Sequence, residues 1–273
     1  MKKITAQAPA TVANIIVGFD TLALAIDNLY DEVTYIQHDS QWEIDGIING
    51  DNLPLDPLKN VSTIAMEAMR QDLNKDVYGK ITINKGYRAG SGLGSSAASA
   101  VAALWAYNAA MDFPLSQREI IPYAMQSEAY VSGKAIADNV AASALGGIVL
   151  IRSDVDYDFI SLPVPDLYIG CVLPDVEILT RDSRSILPTD IPLEITVQQG
   201  ANLAGFISAL YKNDIDLLRR TLVDEMIEKY RARLIPNYYE AKELAMENDA
   251  LCFGIGGSGP AVFYFAENEE HGK

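Results

Sequence analysis

A glycine-rich segment between a predicted strand and a predicted helix limits what this chain can fold into more than any other feature. The segment reads GYRAGSGLGSSAA over residues 86–98, with glycines at the alternate positions 90, 92 and 94. Such glycines permit positive φ and let backbone N–H groups approach a ligand closely. Ser95 and Ser96 then begin a helix predicted over 95–111, and a helix N-terminus attracts anions. The segment therefore predicts a phosphate-binding loop rather than an ordinary tight turn.

Two common nucleotide-binding motifs do not account for the chain. The P-loop pattern, Gly-x4-Gly-Lys followed by Ser or Thr, is absent. The dinucleotide fingerprint does occur, as Gly254, Gly256 and Gly259. However, Pro260 and an apolar, strand-like run follow it, whereas the dinucleotide-binding fold requires a helix at this point. We therefore interpret this second match as coincidental.

The charge and composition exclude several classes of partner. The 273 residues include 21 Lys plus Arg and 37 Asp plus Glu, which give a formal net charge of −16. A chain this acidic lacks the basic surface that binds nucleic acid or anionic membranes. No apolar run approaches the roughly 20 residues that span a bilayer. Cys171 and Cys252 lie in apolar runs without metal-ligand spacing, so we expect reduced thiols in a cytoplasmic protein.

The order of the predicted elements indicates an α+β architecture. Strands and helices do not alternate regularly enough for a doubly wound sheet. Asn60 is expected to cap a helix that ends near Leu73. The patch around Pro163 and Pro165 marks an expected boundary between domains at residues 1–160 and 161–273. Strands are predicted at 4–7, 32–37, 42–48, 80–84, 148–152, 168–173, 251–255 and 261–265. Further helices are predicted from Ser116 towards Ser127 and at 194–212, 214–230 and 238–247.

Three clusters of polar residues exceed what an ordinary core requires. Each has a simpler interpretation when taken alone, because Asx turns and surface ion pairs are common. The clusters are Asn14 with Asp20, Glu128 with Asp138 and Asn139, and the two cations Arg184 and Arg231.

Three segments together resemble the motifs of the GHMP small-molecule kinases. They are APATVANIIVGFD at 8–20, GLGSSAA at 92–98 and GSGP at 257–260. Within that superfamily, three further segments are similar to the homoserine kinases. They are ADNVA at 137–141 followed by two glycines, RSILP at 184–188, and YRARLIP at 230–236. The matches occur in the same order and cover nearly the whole chain.

The resemblance implies both a fold and an activity. The fold is the two-domain GHMP kinase fold, with an N-terminal ribosomal-protein-like α/β domain and a C-terminal ferredoxin-like domain that often forms a homodimer. Relatives continue after Ala266 with a helix and a final strand, so we expect the second domain to be shortened here. The activity is ATP-dependent, Mg²⁺-assisted phosphorylation of the side-chain hydroxyl of L-homoserine, which yields O-phospho-L-homoserine in threonine biosynthesis.

The resemblance also implies roles for individual residues. ATP would contact Asn60, Gly90, Ser91, Gly92, Leu93, Gly94, Ser95 and Ser96. The substrate would contact Asn14, Asp20, Asp138, Asn139, Arg184, Arg231 and Gly259. The implied catalytic residues are Glu128, Asp20, Asn139 and Arg231, and the implied Mg²⁺ ligands are Ser96 and Glu128. Carboxylates and amides at one end and guanidinium groups at the other suit a zwitterionic amino acid.

Some residues depart from the family pattern and keep other functions open. Ile136 stands where the family has His, Gly256 stands where it often has Ser, and residues 15–17 lack a Gly and a Pro of the usual substrate loop. One alternative is a GHMP kinase for another small alcohol of the mevalonate type. Another is a nucleotide-binding protein with weakened kinase activity. Asp20 is expected to orient the substrate, since an ordinary carboxylate is a weak base towards an alcohol.

Overall fold

The computed structural model describes residues 2–38, 40–50, 52–132 and 136–268. Its strands are β1 (Lys3–Ala13), β2 (Leu22–His38), β3 (Glu43–Ile48), β4 (Tyr78–Asn84), β5 (Ile148–Ser153), β6 (Asp158–Leu162), β7 (Tyr168–Val172), β8 (Cys252–Ile255) and β9 (Val262–Ala266). Its helices are α1 (Val61–Asp72), α2 (Ser95–Ala110), α3 (Ile121–Ser132), α4 (Asp138–Leu145), α5 (Thr180–Ser185), α6 (Leu193–Lys212), α7 (Ile215–Thr221), α8 (Glu228–Arg231) and α9 (Tyr238–Glu247), with a 3₁₀ turn at Ala232–Leu234.

The first six strands form one mixed sheet that is organised around β2. The sheet order is β3-β4-β2-β5-β6, and β1 also pairs with β2. Residues 32–38 of β2 pair with β4, while residues 22–24 pair with β5. The β1–β2 register shifts between Pro9 and Thr11. Because proline lacks a backbone N–H, it interrupts a ladder and favours such a shift.

Helix α2 is the central helix of the amino-terminal half. It packs against β1, β2 and α1. Its alanines are buried on every side, from Ala97 and Ala98 to Ala106. A helix that is apolar all round belongs in an interior, and small side chains let its neighbours approach closely. The N-terminus of α2 is thereby fixed against the sheet, directly after the glycine-rich segment.

The carboxy-terminal half contains a second sheet in the order β7-β9-β8. Its core is shared with the first half. Leu22 of β2 and Ile148 of β5 belong to the same buried cluster as Phe206 of α6 and Phe263 of β9. Burial of apolar side chains stabilises the contact between the halves. The α+β prediction is confirmed, with helices and two sheets in the described residues.

Several elements differ from those predicted. The single helix predicted at 214–230 is two helices, because the carboxylate of Asp224 accepts the N–H groups of residues 226–228 and starts α8 separately. Helices α4 and α5 and strand β6 were not predicted. The helix predicted from Ser116 begins at Ile121, after a turn in which Ser116 and Glu119 exchange hydrogen bonds. Within the ranges that the structure describes, no helix has the length and apolar character to cross a membrane.

Candidate active site

The glycine-rich segment forms the loop between β4 and α2. Gly90, Gly92 and Gly94 have φ values of 75°, 89° and 67°. These values lie in the left-handed region that glycine occupies without a steric penalty. Gly94 is the N-cap residue of α2, and no side chain caps that end of the helix. The N–H groups of the first turn therefore remain available to an anion.

Two of the three glycines are also required by packing within the protein. A Cβ on Gly92 would lie 2.6 Å from the carbonyl oxygen of Gly259. A Cβ on Gly94 would lie 2.0 Å from Oγ1 of Thr11. By contrast, a Cβ on Gly90 would meet nothing within 4 Å. The loop thus packs closely against the segments that contain Thr11 and Gly259, and it has free space beside Gly90.

Further backbone contacts tie this loop to the same segments. The N–H of Thr11 donates to the carbonyl oxygen of Leu93 at 3.0 Å. The N–H of Ala261 donates to the carbonyl oxygen of Ser91, also at 3.0 Å. The three segments that carried the family resemblance therefore meet at one place.

A cavity of about 780 Å³ adjoins the start of the loop. Residues 85–90 line one side, and Asn49, Asn52 and Val176 line others. This volume falls in the range of small-molecule sites, so it can take a nucleoside. Asn60 is engaged in its own local structure, because its side chain accepts from the N–H of Ser62 and donates to the carbonyl of Pro54. Its proximity to the base stays a prediction.

A second cavity of about 110 Å³ contains most of the predicted substrate residues. It is smaller and polar, as a site for a small amino acid requires. Ile136 and Val140 add apolar side chains to its wall. Gly259 itself does not line it, but the neighbouring Gly257 and Ser258 do. The predicted residues that line it are Asn14, Asp20, Glu128, Asp138, Asn139, Arg184 and Arg231.

The loop between β1 and β2 is held in an unusual backbone conformation. Asn14 and Asp20 have φ values of 74° and 58°. Oδ1 of Asn14 accepts from the N–H of Asp20 at 3.0 Å, and its Nδ2 donates to the carbonyl oxygen of Gly257 at 2.9 Å. Asn14 therefore closes this loop and joins it to the last motif. The carboxylate of Asp20 is left at the edge of the cavity.

The two arginines occupy different environments. One guanidinium nitrogen of Arg184 donates to both carboxylate oxygens of Asp20, at 2.7 and 2.8 Å. Arg231 is only 4% exposed, and it donates to the carbonyl oxygen of Gly257 at 2.6 Å. Both guanidinium groups lie over the ring of Phe19, at 5.4 and 5.2 Å from its centre. Burial lowers the pKa of Arg231 to about 10, and this side chain nevertheless stays charged at neutral pH.

Burial raises the pKa of two of the acids that line this cavity. Burial raises the pKa of Asp138 to about 7, although the N–H of Asn139 donates to its carboxylate and opposes the shift. Oδ1 of Asn139 accepts from Oγ1 of Thr11 at 2.7 Å. Burial also raises the pKa of Glu128, while a hydrogen bond from Ser96 and the charge of Lys85 lower it.

The hydrogen bond between Ser96 and Glu128 joins the two predicted Mg²⁺ ligands. In the part of the chain that the structure describes, no group of three His, Cys, Asp or Glu residues could hold a metal ion. Mg²⁺ at phosphoryl-transfer sites commonly takes one or two protein oxygens and completes its shell with phosphates and water. A hydroxyl and a carboxylate beside the phosphate-binding loop fit that requirement.

Sequence reasoning missed three groups near the site. Thr11 holds Asn139, Thr180 lines the smaller cavity, and the buried pair of Lys85 and Asp31 lies beneath the loop. Thr11 lies within the first motif, at 8–20, so its position in the sequence could have indicated a place near the site. The pair offered none, because charged residues are expected at the surface.

Comparison with known proteins decides the family. Family models for the N-terminal and C-terminal domains of GHMP kinases match residues 60–147 and 206–273. The homoserine kinase of Chlorobium phaeobacteroides is 40% identical over 99% of this chain and 88% of its own. The chain belongs to the homoserine kinases of the GHMP family. The homoserine kinase of Thermoplasma acidophilum is 38% identical over 95% of this chain and 83% of its own.

Solved structures of GHMP kinases show the same fold. A crystal structure of homoserine kinase from Cytophaga hutchinsonii superposes with a TM-score of 0.96 at 38% identity, covering all of this chain and 87% of that one. A mevalonate kinase from L. major reaches a TM-score of 0.77 at 15% identity over 99% of this chain and 89% of its own, which shows the fold alone. The two-domain GHMP kinase fold predicted from the sequence is confirmed.

Proposed function

We propose that this GHMP kinase transfers the γ-phosphoryl group of ATP to the side-chain hydroxyl of L-homoserine, giving O-phospho-L-homoserine and ADP. The observation that carries the proposal is the smaller cavity, in which three acidic and two guanidinium side chains line a space of about 110 Å³. A zwitterionic amino acid presents an ammonium and a carboxylate, so both kinds of partner are needed. A hydroxy acid without an ammonium group leaves the acids unmatched.

The ion pair between Asp20 and Arg184 supports this substrate class. One guanidinium nitrogen of Arg184 lies 2.7 and 2.8 Å from the two carboxylate oxygens of Asp20. The ammonium group of homoserine can bind Asp20, while the carboxylate of homoserine binds Arg184 and Arg231. One ion pair is then replaced by several, which offsets the cost of separating it. Ile136 and Val140 contribute apolar surface for the two methylene groups of the side chain.

The phosphates of ATP are held by backbone groups rather than by a basic surface. The N–H groups at the start of α2, which no side chain caps, offer donors to an anion. Ser96 and Glu128 would hold Mg²⁺, which supplies positive charge against the β- and γ-phosphates when it is bound. The protein itself fixes the distance between the phosphates and the hydroxyl.

Asn139 and Asp138 are placed to act on the reacting hydroxyl. Asn139 is fixed through Oδ1 by Thr11, so its amide nitrogen can donate to the hydroxyl oxygen. Asp138 has a pKa near 7, which matches a proton acceptor better than an ordinary carboxyl group does. Phosphoryl transfer depends mainly on alignment and charge neutralisation, so these residues assist an in-line attack rather than drive it.

A coupled assay of ADP release tests the proposal. L-Homoserine, L-threonine, mevalonate and shikimate are supplied in turn with ATP and Mg²⁺, and the product is identified by ³¹P NMR. We expect turnover with homoserine far above that with the other alcohols. Turnover with mevalonate in place of homoserine would establish the first alternative. Nucleotide binding without turnover of any alcohol would establish a nucleotide-binding protein with weakened activity.

A pair of neighbouring arginines provides a matched control for the substrate site. Arg231→Met removes a buried guanidinium group from the cavity, whereas Arg233→Met removes an exposed one two residues away. We expect only the first change to raise KM for homoserine. Equal KM values for the two variants would show that Arg231 does not bind the carboxylate of homoserine.

We also propose the Mg²⁺ requirement, a homodimer and a cytoplasmic location. The oxygen pair of Ser96 and Glu128 supports the first. Exposed apolar side chains on β7, namely Tyr168 and Val172, support an intersubunit contact. Free thiols at Cys171 and Cys252 suit a reducing compartment. Omission of Mg²⁺ from the assay, light scattering and cell fractionation test these three points separately.

A further inference from the structure

A buried ion pair lies beneath the glycine-rich loop. Lys85, which directly follows β4, and Asp31 of β2 are 3% and 0% exposed, and their ammonium and carboxylate groups are in direct contact. Lys85 Nζ also donates to Oγ of Ser99 at 2.7 Å, and that hydroxyl donates to Oδ2 of Asp31 at 2.8 Å. The ammonium, the carboxylate and the hydroxyl thus form one closed network that is shielded from water.

This network holds both ends of the loop. Oδ1 of Asp31 accepts from the N–H of Gly86 at 3.1 Å, and Lys85 Nζ donates to the carbonyl oxygen of Ser95 at 2.9 Å. Gly86 and Ser95 bracket residues 87–94. A Cβ on Gly86 would lie 1.9 Å from the carbonyl oxygen of Tyr30, so the chain presses against β2 where the loop begins. One pair of side chains therefore fixes the distance between the beginning and the end of the loop.

Stability does not explain why this pair is charged. Removing two charges from water is costly, and apolar residues of similar volume are often as stabilising as a buried ion pair. Burial accordingly lowers the pKa of Lys85. What an apolar pair cannot do is bind the N–H of Gly86 and the carbonyl of Ser95. The hydrogen bonds to the loop are the property that distinguishes the charged pair.

We propose that Asp31 and Lys85 are positioning residues that hold the loop in its phosphate-binding shape before the nucleotide arrives. The inference rests on the proposed function, because it takes ATP as the ligand of this loop. A loop that is ordered in advance loses less conformational entropy on binding, so affinity increases. Lys85 also lines the larger cavity, but its ammonium group binds Ser95, Ser99 and Asp31, so the effect comes from the contacts with the loop.

A double substitution separates positioning from stability. Asp31→Leu with Lys85→Met replaces the pair by apolar side chains and removes both links to the loop. The matched control is Asp45→Leu with Lys80→Met, which removes a partly exposed ion pair of 2.6 Å between β3 and β4. ADP affinity is measured by calorimetry, KM for homoserine by the coupled assay, and stability by urea unfolding.

We expect the Asp31/Lys85 variant to bind ADP about tenfold more weakly, the change that loss of about 1.4 kcal/mol produces. Its KM for homoserine and its unfolding midpoint should stay near those of the unaltered chain. The control should keep its ADP affinity. If the folded Asp31/Lys85 variant binds ADP as tightly as the unaltered chain, the inference is overturned while the proposed function stands. If the unaltered chain does not bind ADP, the proposed function fails and the inference fails with it.

Hydrogen exchange on the unaltered chain gives a test that does not depend on the folding of a variant. The inference requires the N–H of Gly86 to exchange slowly without nucleotide, because Asp31 already holds it. Exchange at Gly86 as fast as at the open position Gly90, with protection only after ADP is added, would overturn the inference.

Discussion

Substitution of Arg231 by Met should make this protein more stable and a poorer kinase at the same time. Burial lowers the pKa of Arg231 well below its usual value, to about 10. At about 1.36 kcal/mol for each pH unit, the charged form costs about 3 kcal/mol more in the folded than in the unfolded chain. The sign follows from the direction of the shift. A base with a depressed pKa destabilises the fold at every pH at which it is charged in both states, which here means below about pH 10.

One opposing contribution reduces this gain only in part. Arg231→Met loses the hydrogen bond to the carbonyl oxygen of Gly257, which contributes about 1 kcal/mol. That oxygen does not become unsatisfied, because Asn14 also donates to it at 2.9 Å. The methionine side chain retains the packing of the arginine stem beside Phe19. We therefore expect the free energy of unfolding to rise by about 2 kcal/mol.

The same change removes a charge-assisted contact with the substrate carboxylate. Such contacts contribute about 2–3 kcal/mol, so KM for homoserine should rise about 30- to 150-fold while KM for ATP stays the same. Stability is measured by urea unfolding without ligands, and KM by steady-state kinetics. Arg184→Met is the informative control, because it leaves Asp20 without its bidentate partner and should not stabilise the fold. A less stable Arg231→Met variant with unchanged KM for homoserine would refute the reasoning.

Three further results are expected from the loop and the buried acids. In urea unfolding, Gly94→Ala should lower the free energy of unfolding by more than about 2 kcal/mol, because the new Cβ combines a positive φ with an approach of 2.0 Å to Oγ1 of Thr11. Gly90→Ala should lower it by only about 1 kcal/mol, because its Cβ meets nothing within 4 Å. The kcat/KM for homoserine should rise with pH up to about 7, where Asp138 becomes ionised, and Asp138→Asn should abolish that rise. A flat pH profile in the unaltered enzyme would contradict the role of Asp138 as proton acceptor. Glu128→Gln should raise the Mg²⁺ concentration for half-maximal activity about 10- to 100-fold, and an unchanged Mg²⁺ titration would remove Glu128 from the metal site.

The elements that could be predicted from the sequence are those with a complete local signal. Asn60 caps α1 as expected, and the alanine-rich run forms α2. Helix α5 and strand β6 have only six and five residues, which is too short for a period to be recognised. The break between α7 and α8 depends on the buried carboxylate of Asp224. Its capping role is not evident from the hydrophobic pattern.

The candidate site was predictable in its membership but not in its internal contacts. The motifs located the residues that line the smaller cavity, although their individual roles remain predictions. No local pattern indicates that Asp20 binds Arg184 or that Asn14 binds Gly257, because these partners lie more than 160 residues apart along the chain. From the sequence, the alternating glycines are explained only by the binding of a ligand. The contacts of Gly92 and Gly94 with Gly259 and Thr11 appear only once the chain is folded.

The interlock between the loop and the last motif also orders the events of biosynthesis. Gly92 and Ser91 contact residues 259 and 261, which lie more than 160 residues later in the chain. A nascent chain that has emerged only as far as α9 already contains the loop, the substrate residues and both arginines. It lacks the turn against which the loop is shaped. The nucleotide site therefore cannot take its final shape until residues 259–261 have been synthesised, although every other part of the loop is made about 160 residues earlier.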